Sequence, residues 1–84
     1  MNRCVLNGNV IRDVEGFRKI CRTFFYKNGK LNELCDYTYD TKLSYIYETN
    51  EVVIEPYHKE NLNDEMIMKA LRCLDRKIRN ELKR

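Results

Sequence analysis

Eighty-four residues with 43% hydrophobic and 11% aromatic content make one small globular domain and exclude a disordered tail, although 35% of the chain is charged. No run approaches the ~20 apolar residues that cross a bilayer, and the start, MNRCVLNGNVIRD, is too polar for a secretory signal, so a cytoplasmic protein is expected. The net charge of +3 conceals a pattern: residues 1–30 carry +5, residues 31–65 carry −7 and residues 66–84 carry +5, which gives a partner of either sign something to meet.

Arg3–Leu6 reads as a short strand, and the Asn7-Gly8 that follows is a strong two-residue turn signal. Residues 3–12 therefore read as a small hairpin with NVIR returning, or as one strand, a turn and an extended lead. Asp13 suits a helix cap, and Val14, Phe17, Ile20, Cys21 and Phe24 recur at helical spacing, which predicts a helix over 14–25. Arg18, Lys19 and Arg22 fall on another side of that helix, most simply as a solvated face, and Gly16 weakens it by about 1 kcal/mol relative to Ala. The run 31–38 favours a short helix, with a strand as the alternative. LSYIYE (43–48) and EVVIEP (51–56), separated by Thr49-Asn50, predict an antiparallel hairpin, with Tyr45 and Tyr47 sharing a buried face with Leu43.

The clearest pattern is at the end. Asn63 is a good N-cap and Asp64 and Glu65 suit the positive end of the helix dipole. Ile67, Leu71, Leu74 and Ile78 form an apolar seam that faces the core or, as a short heptad pattern, a homodimer partner. Lys69, Arg72, Arg76, Arg79 and Lys83 recur at three, four, three and four residues. At ~100° per residue they form a basic stripe nearly opposite the seam. Such a line of cations suits phosphates, and its plainer reading is a solvated face. The expected fold is α+β, a short sheet packed by two main helices in the order β-α-(α)-β-β-α, as a single domain over 1–84.

Signatures of catalysis are sparse. His58 is the single histidine and Ser44 the single serine, no glycine-rich phosphate loop is present, and the four cysteines (Cys4, Cys21, Cys35, Cys73) show no C-x-x-C spacing. Reduced, mostly buried thiols are expected, with no enzyme activity, no metal and no cofactor. Tyr37, Tyr39, Tyr45, Tyr47 and Tyr57 lie in the acidic segment, where phosphates are repelled and a protein interface fits better.

Val5-Leu6-Asn7-Gly8, Ile11-Arg12, an amphipathic helix, then Phe25-Tyr26 and Gly29-Lys30-Leu31-Asn32-Glu33-Leu34-Cys35-Asp36 resemble the front half of barstar-like ribonuclease inhibitors. In that family a tyrosine- and glycine-containing loop and a short helix block the nuclease site with aromatic and acidic side chains. The resemblance implies a partner enzyme acting on nucleic acid, with Tyr26 as the loop tyrosine and Asn32 and Asp36 at the two acidic positions. Glu33, Tyr37 and Tyr39 complete the expected partner-binding set. The expected function is therefore an inhibitor that occludes a partner enzyme, a nuclease by this resemblance, through an acidic, tyrosine-rich surface; the alternative is a nucleic-acid-binding module that uses the basic stripe.

Overall fold

The computed structural model describes residues 2–22, 28–29 and 41–83. Strand β1 is Cys4–Asn7, helix α1 Val14–Ile20, β2 the two residues Asn28–Gly29, β3 Thr41–Ile46, β4 Glu51–Pro56 and helix α2 Asp64–Leu82. The result is a small α+β domain in the order β-α-β-β-α, built on a three-stranded antiparallel sheet β1-β4-β3 that β2 extends by one short pairing on β3. The expected short helix at 31–38 lies outside the described residues.

Alternation decides which sheet face is covered. Leu43, Tyr45, Val52 and Ile54 point inward and are buried, and Cys4 and Leu6 of β1 pack against them on the same side. The register matches these positions across all three strands: Cys4 and Leu43 both oppose Ile54, while Leu6 and Tyr45 both oppose Val52. Phe17, Ile20 and Cys21 of the first helical segment and Met66, Ala70, Leu74 and Ile78 of α2 complete one core with that face. Asp13 caps α1 by accepting from the Gly16 N–H at 3.0 Å, and Asn63 caps α2 by accepting from the Met66 N–H at 2.9 Å.

Three sequence expectations need correction. The buried line of α2 is 66-70-74-78, with Ile67 and Leu71 only half-buried, so the helix is turned by about half a residue step from the expected seam. Ala70 explains this: its small, fully buried side chain lets the helix approach the core along a line that a count of large apolar residues passes over. The hairpin strand is 41–46, not 43–48, and Tyr47-Glu48-Thr49-Asn50 form a four-residue turn with Asn50 at φ 54°, a left-handed conformation that Asn tolerates.

Finally, Asn7-Gly8 makes no hairpin. Asn7 accepts from the Asn9 N–H at 2.8 Å and opens a single 3-10 turn over Gly8–Val10, after which the chain leads into α1. Gly8 is there for close approach, because its N–H donates to the Asn50 carbonyl at 2.7 Å, and a Cβ would stand 2.2 Å from Asn50 Oδ1. Gly8→Ala must therefore displace the Asn50 side chain and the bonds it makes to Tyr45 and Asn9. A loss of about 1–3 kcal/mol is expected in urea unfolding, in the range of overpacked sites. A change under about 0.5 kcal/mol would show that the approach is not tight.

Gly16 repeats the theme. A Cβ there would meet the capping Asp13 carboxylate at 2.5 Å and Leu82 Cδ1 of α2 at 2.8 Å, so the residue that weakens α1 as an isolated helix is what lets it dock. Beside this contact the Arg12 N–H reaches Asp75 Oδ1 at 3.4 Å, a second tie between the start of α1 and α2.

Candidate nucleic-acid interface

Burying 66, 70, 74 and 78 fixes what α2 shows to solvent. With ~100° per residue, Arg72, Arg76, Arg79 and Lys83 lie roughly 160–220° from the middle of the buried line, and all four are exposed. Arg72 to Lys83 spans about 16 Å of helix axis, close to the rise of about five base pairs of duplex. None of the four forms an ion pair among the described residues. Lys69 differs: it pairs with Glu65 at 3.2 Å, one turn earlier on the same face. That pair is worth only a few tenths of a kcal/mol at an exposed site, and it trims the stripe to four outward cations.

Tyr26, Asn32, Glu33, Asp36, Tyr37 and Tyr39 all lie outside the described residues. Of the remaining tyrosines, Tyr45 is 1% exposed and serves the core, Tyr57 is exposed beyond β4, and Tyr47 is half-buried at the hairpin turn. Ser44 lies on the sheet face opposite the core and His58 is exposed in the segment after β4. Among the described residues no three of His, Cys, Asp and Glu are grouped to hold a metal ion, and Cys4 and Cys21 are free thiols. Burial pushes the Cys21 thiol up to about 12, so it stays protonated and inert at neutral pH.

A second basic feature lies on and just after α1, where periodicity shows the arginines but not the ring they meet. Phe17 packs edge-on against Tyr45 (centroids 4.7 Å, 71°), and Tyr45 packs edge-on against Tyr47 (6.3 Å, 86°), so a row of rings runs from the core to the surface. At its outer end the Arg18 guanidinium carbon lies 4.6 Å and that of Arg22 5.7 Å from the Tyr47 ring centre. Arg22 also donates to the Tyr47 hydroxyl oxygen from Nε at 3.2 Å and from Nη2 at 2.5 Å. Two like charges four residues apart cost a helix a few tenths of a kcal/mol, which the ring contacts offset. The i,i+4 spacing of the arginines is visible in the sequence; their tyrosine, 25 residues from Arg22, is not.

These bonds hold the Tyr47 phenol below its usual range, the hydrogen bond from Arg22 contributing most and that from Arg18 next. Tyr45 moves the other way, raised chiefly by burial. Because the folded value of Tyr47 is depressed, its contribution to stability appears as pH rises through that value and is complete above about 10, where the unfolded phenol has also ionised. A tyrosinate absorbance titration should show Tyr47→Phe removing an early-ionising phenol, and Arg22→Gln should return that phenol upward. An unchanged early phase in Arg22→Gln would contradict the bond.

No family model matches the chain, and no curated protein or solved structure matches it significantly. No helix among the described residues is long and apolar enough to cross a membrane.

Proposed function

We propose that this domain binds nucleic acid through the outward face of α2. The observation that carries the reading is the placement of Arg72, Arg76, Arg79 and Lys83: exposed, in line along the helix, unpaired among the described residues, and on the side opposite a fully buried core line. Backbone phosphates are what such an array meets best, since several cations projecting along one line release condensed counterions together. Sequence preference is expected to be weak, because the array offers charge rather than a set of groups matched to base edges.

The test is a binding titration against mixed-sequence duplex and single-stranded DNA and RNA at 50 and 200 mM salt. Four phosphate contacts predict that duplex affinity falls by roughly a hundredfold over this range. A flat salt response would remove the reading. The inhibitor reading rests on the barstar-like stretch and the acidic, tyrosine-rich middle of the sequence, and its expected contact residues lie outside the described part of the chain.

A further inference from the structure

A cleft of about 580 Å³ opens between α1 and the two turns that flank it, in the size range of small-molecule sites (roughly 300–1,000 Å³). Arg18 and Lys19 of α1 and Arg22 just beyond its end line it, with Asn9 from the 3-10 turn, Asn50 from the hairpin turn and Glu15 as the one acid among the described residues. It is separate from the α2 face. Gly16 is the α1 position that meets Leu82 of α2, and Arg18 lies about 200° further round the helix.

Three features suit this cleft to an anion. Arg18 and Arg22 form no ion pair among the described residues, so two guanidinium charges sit side by side with only a phenol between them. Tyr47 fixes the guanidinium group of Arg22 by accepting from two of its nitrogens, which orients the donors that remain. The turn amides are fixed as well: Asn50 Oδ1 accepts from the hydroxyl of buried Tyr45 at 2.6 Å, and Asn50 Nδ2 donates to Asn9 Oδ1 at 3.2 Å, leaving amide N–H groups at the rim. Planar forks and amide N–H groups match a tetrahedral oxyanion, and a dianion balances two arginines better than a single carboxylate does.

We infer that this cleft binds a phosphate monoester carried on a body of nucleotide size, with Arg18 and Arg22 taking the phosphate oxygens. The volume exceeds what a bare phosphate fills, which is why a larger body is assigned to it. The site does not depend on α2 binding nucleic acid, and the monoester can belong to a free nucleotide or to the 5′ end of a strand.

The experiment follows the side-chain Nε–H of Arg22 and the amide groups of Asn9 and Asn50 by NMR in the full chain. The additions are adenosine monophosphate, ribose 5-phosphate, adenosine, and a short oligonucleotide with and without a 5′ phosphate. Both small phosphates should move these signals while adenosine does not, and a preference of the oligonucleotide for the 5′-phosphorylated form assigns the strand end as the source. If adenosine monophosphate binds and the phosphorylated end is not preferred, the free nucleotide is the source.

Arg18→Ala/Arg22→Ala should weaken adenosine monophosphate at least about tenfold. Arg18→Lys/Arg22→Lys, which keeps the charge and the fold but loses the forks, should also weaken it. Bound phosphate competes for the guanidinium groups and so should move the Tyr47 phenol up. Arg72→Glu/Arg76→Glu/Arg79→Glu should leave adenosine monophosphate binding within about twofold, which separates this site from the α2 reading. Silence of Arg22 to all phosphates, equal response to adenosine, or unchanged binding in the double alanine variant would overturn the assignment.

Discussion

Arg72→Glu/Arg76→Glu/Arg79→Glu is expected to lower duplex affinity by more than about a hundredfold at 50 mM salt. It removes three of the four outward cations and places three carboxylates against the phosphates, so attraction becomes repulsion. All three residues are exposed, and the core side chains Met66, Ala70, Leu74 and Ile78 are untouched, so the fold should persist. A small cost is expected at Arg79, in the last turn of α2, where a negative charge opposes the helix dipole by about 0.3–1 kcal/mol. Circular dichroism should therefore show a folded variant with a slightly lower melting temperature beside lost binding. Binding within threefold of the parent chain would show that the stripe is a solvated face.

Phe17→Ala should have the largest effect on stability, about 3–5 kcal/mol. Phe17 is fully buried, and its ring meets Tyr45 edge-on between α1 and the sheet, so truncation leaves a cavity at the junction of the two layers. An 84-residue domain has only about 4–13 kcal/mol in total, so the variant should be barely folded at room temperature. Tyr45→Phe is the informative contrast. It keeps the ring and loses only the hydroxyl bond to Asn50, so about 1 kcal/mol is expected in urea unfolding. The gap between the two variants measures packing against hydrogen bonding in the same row of rings. A Phe17→Ala loss under about 1 kcal/mol would mean that this row does not carry the core.

What the sequence reveals and what it hides divides by distance along the chain. Asn63 with Asp64 and Glu65, Asp13 before its helix, the β3–β4 hairpin and the basic face of α2 are all local patterns, and each has its structural counterpart. Features set by partners far away in the chain were not legible. Gly8 looks like half of a hairpin turn until Asn50, 42 positions later, is seen to press against it. Arg18 and Arg22 look like ordinary solvated residues until Tyr47 arrives from the hairpin turn. The antiparallel pairing of β1 with β4, which makes β4 the central strand, joins residues about fifty apart and leaves no periodic trace. The buried line of α2 departs from the spacing of its large apolar residues for a different reason, since Ala70 contributes by being small rather than strongly apolar.

The most direct test of the central claim is an amide NMR footprint of the full chain with a short mixed-sequence duplex at low salt. Binding through α2 predicts that shifts concentrate at 72, 76, 79 and 83 and at their neighbours on the outer face, while 66, 70, 74 and 78 and the sheet strands stay still. Shifts centred on the sheet, or none at saturating duplex, would contradict it.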